Sequence, residues 1–199
     1  LRSPQQSFWH RARPGATIPP GSQVVTVDGS RLELASAGDR LTTSGPSRFT
    51  LPPSERDGVR VRQDAGRLRY DVESAPKRRV EAQTPHFSTV VKGTTFVVST
   101  DRAGSEVFVD EGQVLVLDLN GRPLGELTAG QFGRLGAQPG AALEVGAGTG
   151  PAIGEDPSSD RNVGREGGPE PSAHGNPPFL EATVITPASL NAPRDEAAE

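Results

Sequence analysis

The sequence has no cysteine and no methionine, only one tryptophan and one tyrosine, and no long hydrophobic run. Without cysteine there is no disulfide, no thiolate nucleophile and no cysteine-ligated metal. No stretch reaches the roughly 18 apolar residues of a membrane-spanning helix, so we expect no membrane span within these 199 residues. The missing initiator methionine predicts a processed or trimmed start.

Glycine, proline and charge are distributed unevenly. Residues 137–199 hold nine glycines, nine prolines and ten acidic residues against three basic ones. Residues 1–136 carry 18 basic and 15 acidic residues. This contrast predicts an ordinary domain followed by a largely irregular acidic tail. Such a tail buries too little apolar surface to offset the conformational entropy that it would lose on folding. So small a basic excess in the body argues against a nucleic-acid partner.

Short alternating apolar and polar runs, separated by turn residues, extend from Gly21 to Gly136. About twelve such runs occur at roughly ten-residue spacing, which predicts one all-β domain, either a sandwich or a short β-helix-like coil. Asp28-Gly29, Glu111-Gly112 and Asn120-Gly121 each lie between two runs. Each of these turns therefore predicts a hairpin.

Two segments outside this domain are candidates for docking. The proline-rich arm, residues 1–20, carries Phe8 and Trp9, which would anchor it either on its own domain or on a partner. The tail, residues 137–199, contains one strand-competent segment, 179–185, with Phe179, Leu180, Val184 and Ile185 as its apolar side chains. Such a segment either returns to the parent sheet or adds a strand to a partner's sheet.

Four arginines alternate with apolar residues in two neighbouring runs, and we call them the basic stripe: Arg60, Arg62, Arg67 and Arg69. Alternation places each pair on the outer face of its strand. If the two strands are neighbours, the four guanidiniums form one patch that suits carboxylate, phosphate or sulfate groups. The alternative is a solvated face balanced by Asp64, Asp71 and Glu73, and the acidic tail could also fold over the patch.

Residue types that carry catalysis are sparse. His10, His86 and His174 lie in three different segments without metal-ligand spacing, and no serine lies in a nucleophile-elbow motif. We therefore expect no metal, no cofactor and no enzymatic activity. The histidines are expected to be structural or solvated.

Six segments within residues 21–136 resemble, in order, motifs of the FecR-like domain family. They are Gly38–Thr43 with Gly45–Leu51, Glu55–Val61, Gly66–Val72, Thr84–Val98, Val109–Val116 and Leu127–Phe132. The most specific is Thr84–Val98, which is similar to the family pattern T-P followed by V-x-G-T-x-F-x-V. The positions singled out by the resemblance are Gly38, Thr43, Arg48, Gly93, Thr94, Phe96, Glu111, Gly112 and Gly130.

These motif positions are predicted to be structural, with a ligand site as the alternative. Gly93 suggests a positive φ or a close approach of two backbones, and Thr94 could satisfy backbone groups through its hydroxyl. Phe96 and Val98 alternate with Thr95 and Val97, so we expect one of the two sets to be buried.

The resemblance implies a β-rich domain of the cell envelope of a Gram-negative bacterium, facing the periplasm. It would arrive there after removal of a signal peptide or as the exported part of a membrane-anchored protein. The best-known members relay a signal from an outer-membrane transporter to a sigma factor, and others accompany peptidoglycan-binding modules. We expect a non-enzymatic interaction or scaffold module that docks on other envelope proteins through its arm and tail. The alternatives are a signal-relay regulator of transport genes and a peptidoglycan-binding module.

Overall fold

The computed structural model describes residues 1–3, 9–36, 38–52, 59–74 and 79–151. These residues form thirteen strands and no helix, which confirms the predicted all-β fold. The strands are β1 (Gln23–Thr26), β2 (Arg31–Ser36), β3 (Asp39–Ser44), β4 (Ser47–Thr50), β5 (Val59–Asp71), β6 (Val80–Gln83), β7 (Ser88–Val91), β8 (Thr95–Thr100), β9 (Gly104–Glu111), β10 (Gln113–Leu117), β11 (Pro123–Thr128), β12 (Gln131–Gly136) and β13 (Glu144–Ala147). A search of the described residues for a helix suited to crossing a membrane finds none.

The long strand β5 belongs to two layers. Its first part pairs in parallel with β6 through Val59–Arg62 and antiparallel with β4 through Arg62–Ala65. Its second part, Gly66–Asp71, pairs antiparallel with β3 and β8. The first layer therefore has the order β1-β4-β5-β6-β7-β10-β11, and the second has the order β2-β3-β5-β8-β9-β12-β13. The two layers belong to one thirteen-stranded sheet, which is joined at the bend of β5.

One hydrophobic core fills the space between the layers. Phe49, Val61 and Leu127 contribute from the first layer, and Leu68 and Phe96 from the second. Burying a side chain of this size stabilises the fold by roughly 1.5–3 kcal/mol. The core explains the period-two alternation of strands such as β1, β4 and β6, which bury every second residue.

The second layer also buries apolar residues on its outer face. Phe96 and Val98 are fully buried, as expected of one of the two alternating sets, and Val97 of the other set is buried as well. Val97 pairs with Phe108, and the chain that follows β13 folds back over this row. A Cβ on Gly150 would lie 2.3 Å from the Phe108 ring. Phe108 is therefore only 6% exposed, and it lies beside Val97 on the same face of the layer.

The chain passes between the layers at glycines with positive φ. They are Gly29, Gly45, Gly66, Gly93, Gly112 and Gly130. Two of the three predicted hairpins are wrong for this reason: β1 pairs with β4 rather than β2, and β10 pairs with β7 and β11 rather than β9. Asp28-Gly29 and Glu111-Gly112 redirect the chain into the other layer. The hairpin at Asn120-Gly121 is confirmed by the β10–β11 pairing.

The bend of β5 is held by the side chain of Gln63, which is fully buried. Its amide nitrogen donates to the carbonyl oxygens of Gly66 (2.8 Å) and Val98 (3.0 Å). Its amide oxygen accepts from the Tyr70 hydroxyl at 3.2 Å. The Tyr70 ring stacks on Phe96 with a centroid separation of 4.8 Å. Burial raises the pKa of the Tyr70 hydroxyl well above its ordinary value.

Segments near both ends of the described chain close the seams between the layers. Ala12 and Ile18 pack on the core from the amino-terminal side, and Ala141 and Leu143 pack on it from the carboxyl-terminal side. Leu143 lies between the two layers, close to Gly125 of β11 and Gly133 of β12. The β structure also extends past residue 136, because β13 pairs with β12.

Gly93→Ala is expected to destabilise the fold by about 2–4 kcal/mol, because it combines backbone strain with a steric clash. Gly93 has φ +128, and a Cβ there would lie 2.7 Å from the Cα of Ser74. The control is Gly121→Ala, at φ +82 with no atom within 4 Å of the added carbon, which is expected to cost about 1 kcal/mol. Chemical denaturation measures both, and equal losses would contradict the close approach at Gly93.

Alkaline pH is expected to destabilise the fold through Tyr70, the only tyrosine of the chain. The folded state holds the hydroxyl protonated, whereas the unfolded chain ionises near pH 10. The contribution of Tyr70 to the free energy of unfolding is therefore fully present below about pH 10, and it falls as the pH rises further. Absorbance near 295 nm should show tyrosinate appearing together with unfolding, and Tyr70→Phe should remove this component. Ionisation of Tyr70 in the intact fold near pH 10 would contradict the expectation.

Candidate interaction site

A cleft of about 570 Å³, with more apolar than polar surface on its walls, lies where β5 bends. Its walls come from β1, β4, the bend of β5, the β6–β7 turn and the β8–β9 turn. Three basic side chains line it, Arg48 from β4, His86 from the β6–β7 turn and Arg102 from the β8–β9 turn. Asp64 and Asp101 line it as well. We call this the polar cleft.

The β6–β7 turn that presents His86 is organised by Thr84. The buried Thr84 hydroxyl accepts from the backbone N–H groups of His86 (3.1 Å) and Phe87 (3.0 Å) and donates to the Phe87 carbonyl (2.9 Å). Phe87 is fully buried and anchors the turn in the core. The sequence Thr84-Pro85-His86-Phe87 therefore fixes His86 at the wall of the polar cleft.

His86 also contacts a short chain of hydroxyl groups. Its Nδ1 lies 2.7 Å from the Ser105 Oγ, which in turn lies 2.6 Å from the Thr100 Oγ1. A serine beside a histidine resembles a nucleophile and its base. Ser105 is only 2% exposed, so a substrate would not reach its oxygen. The pair therefore positions His86 and is not suited to nucleophilic catalysis.

The two acidic side chains of the polar cleft are already engaged. Asp64 forms an ion pair with Arg62 at 3.0 Å. The Asp101 carboxylate accepts from the backbone N–H groups of Ala103 (2.7 Å) and Gly104 (3.1 Å), which caps the β8–β9 turn. Within the described part of the chain, neither Arg48 nor Arg102 forms an ion pair.

The basic stripe does not form the single patch that two neighbouring strands would have produced. All four arginines lie on one strand, β5, with Arg60 and Arg62 in the first layer and Arg67 and Arg69 in the second. Because the outer faces of two packed layers point away from each other, the two pairs are separated.

All four arginines of the basic stripe have local partners, Arg62 through its ion pair with Asp64. Arg60 pairs with Glu81 at 2.8 Å, and Arg69 pairs with both Asp71 and Asp110. Arg67 donates to the Ser99 hydroxyl at 3.1 Å. Exposed ion pairs of this kind contribute less than about 1 kcal/mol each. The partners nevertheless occupy these guanidiniums, so the stripe is a weaker candidate for ligand binding than the polar cleft.

Several motif positions lie where the chain crosses between the layers. The Thr94 hydroxyl donates to the Gln113 carbonyl at 2.9 Å, and a Cβ on Gly112 would lie 2.8 Å from the Gly93 carbonyl oxygen. Thr43 donates to the Arg67 carbonyl at 2.8 Å. The others lie at the β2–β3 turn (Gly38), inside the core (Phe96), at the end of β9 (Glu111) and between β11 and β12 (Gly130). Among the motif positions, only Arg48 lines the polar cleft.

The predicted docking residues are described only in part. Trp9 is half-buried beneath the Arg2 guanidinium, which lies 5.5 Å from the ring centroid. Phe8 lies outside the described residues, as do Phe179, Leu180, Val184 and Ile185. Docking through these residues stays a prediction.

A second cleft, of about 590 Å³, follows the seam covered by the arm. Its walls are mainly apolar and include Ile18, Leu34, Leu51 and Val72. The described residues contain no group of three or more histidine, aspartate or glutamate side chains that could hold a metal ion.

Comparisons with known proteins bear on the family. The model of the family described as FecR protein matches residues 21–115, which confirms the resemblance over that range; the sixth motif, Leu127–Phe132, lies beyond it. No curated protein matches the chain.

Two crystal structures of a candidate anti-sigma factor from Parabacteroides distasonis share the fold. They have TM-scores of 0.56 and 0.55 at 14% identity, and each alignment covers 63% of this chain and 59% of the other. At that identity the similarity shows the fold alone. The chain also spans less than two thirds of the length of those structures.

Thr84→Val is expected to destabilise the protein by about 2–4 kcal/mol, because the buried N–H group of Phe87 and the part-buried N–H group of His86 lose their acceptor. The matched control is Thr89→Val in β7, whose equally buried hydroxyl makes one longer bond, 3.3 Å, to the Ala82 carbonyl. We expect it to cost less than about 1 kcal/mol. Thermal or urea unfolding measures both, and a neutral Thr84→Val would refute the assigned role of this hydroxyl.

Proposed function

Residues 21–115 form a FecR-like domain, and from that premise we propose that the chain is a non-enzymatic module that relays a signal by binding another protein of the cell envelope. The family match carries this proposal. The structural neighbours, described as a candidate anti-sigma factor, support a regulatory relay over a purely architectural scaffold. The envelope and its periplasmic side are proposed on the same ground.

The chemistry of the described surface supports a binding role rather than turnover. The nearest approach to a catalytic pair, His86 with Ser105, has its hydroxyl in the protein interior. The polar cleft instead offers two guanidiniums without ion-pair partners in the described part of the chain. Rigid turns present these groups, and rigid presentation lowers the entropic cost of binding.

The proposal assigns different tasks to the parts of the chain. The β domain is the part that recognises the partner. The segment 179–185 is proposed as an additional docking strand, because it is the apolar segment of an otherwise polar, acidic tail.

Deleting the gene in the organism that encodes the chain should change the abundance of a defined set of transcripts. Returning the intact gene should restore it. A variant gene carrying Arg48→Ala and Arg102→Ala should restore it less well if the partner contacts the polar cleft, and Arg79→Ala serves as a control for loss of charge. Transcripts that stay unchanged while an envelope assembly is lost would contradict the relay and favour a scaffold.

A further inference from the structure

We propose that the polar cleft binds a carboxylate carried by an extended peptide segment of a partner protein, with Arg48 and Arg102 receiving the carboxylate. That the peptide belongs to a protein rests on the proposed function. The carboxylate site itself rests only on the arrangement of side chains in the cleft.

The two arginines reach one cleft from elements distant in the sequence, β4 and the β8–β9 turn. Convergence of polar groups from separate elements on a concave surface is typical of binding sites. Both side chains are exposed, and neither has an ion-pair partner among the residues that the structure describes. A guanidinium offers two parallel N–H groups that match the two oxygens of a carboxylate.

The acidic side chains of the cleft favour a single carboxylate over a doubly charged anion. Asp64 stays paired with Arg62, and Asp101 stays bound to two backbone N–H groups. Both nevertheless keep negative charge on the wall of the cleft. A phosphate group would bring about two negative charges close to them, whereas a carboxylate brings one. The aspartates therefore make the cleft selective against phosphate.

His86 adds a contact for the peptide backbone. When the Thr100 hydroxyl donates to the Gly104 carbonyl, at 3.4 Å, the Ser105 hydroxyl donates to Thr100 and accepts from the Nδ1–H of His86. In the neutral ring this arrangement leaves Nε2 as an acceptor. An N–H group beside the carboxylate of an extended peptide is the complementary donor.

The remaining wall is apolar and stiff. Val25, Pro46 and Pro85 line the cleft between the charged groups, and the two prolines are exposed without backbone N–H groups of their own. Such a surface suits the aliphatic part of an extended peptide. The cleft thus combines two carboxylate receivers, one backbone acceptor and an apolar floor.

The test is an NMR titration of the isotope-labelled full chain with a short peptide, blocked at both ends, whose central residue is glutamate. The backbone amides near Arg48, His86 and Arg102 should shift in a saturable way. The same peptide with glutamine should bind about tenfold more weakly or worse, since it loses the charge-assisted bonds. Arg48→Ala and Arg102→Ala should each weaken the glutamate peptide about tenfold.

The control variant is Arg79→Ala. Arg79 is exposed and precedes β6, at the opposite end of that strand from His86, so its removal should leave the affinity within about twofold. The amide spectrum of each variant reports directly whether the domain stays folded.

Four results would overturn the inference. They are equal binding of the glutamate and glutamine peptides, equal weakening by Arg79→Ala and Arg48→Ala, stronger competition by inorganic phosphate than by acetate, and tighter binding of a soluble peptidoglycan fragment at the same amides. The titration needs neither the partner nor a signal in the cell. A failed titration beside an intact transcript response would therefore reject the carboxylate site and leave the relay function standing.

Discussion

The fold depends on one buried amide at the point where β5 leaves the first layer and enters the second. A strand that changes layers frees backbone carbonyls from the ladder, and such groups need partners when they are buried. Gln63 supplies two donors to these carbonyls and uses its own oxygen to accept from Tyr70. A buried amide is stable only when its bonding capacity is satisfied. Because β3, β4, β6 and β8 all pair with β5, the satisfied bend sets the relative orientation of both layers.

The strands could be predicted from the sequence, but their partners could not. Alternation and turn residues are local signals, and each strand needs only a few residues to display them. Pairing is decided by the path of the chain after a turn. Asp28-Gly29 and Asn120-Gly121 look alike in the sequence, yet the first sends the chain into the other layer and the second returns it to its neighbour. The burial of Val97 and its neighbour Phe108 was equally hidden, because the residue that packs on the Phe108 ring, Gly150, lies beyond β13.

The candidate site could likewise be predicted only where its signals are local in the sequence. Sequence reasoning found the arginines of the basic stripe, because period two is visible along one strand. It could not find that the bend between Asp64 and Gly66 separates the two pairs. The polar cleft assembles residues that lie far apart in the chain, so no spacing pattern points to Arg102. Two local signals did point to the cleft: Arg48, a position of the family motif, and the motif Thr84-Pro85-His86-Phe87, whose threonine and phenylalanine hold the turn while the histidine lines the cleft.

The side chains that close the two seams, Ile18 and Leu143 among them, lie between backbone pairings and the rest of the domain. On the carboxyl-terminal side, tension along the polypeptide would load the β12–β13 ladder before it reached Leu143, which precedes β13 in the chain. On the amino-terminal side, the bridge between Arg2 and Gln23 would be loaded before Ile18. A pull from either end therefore meets backbone hydrogen bonds before it can uncover the hydrophobic interior.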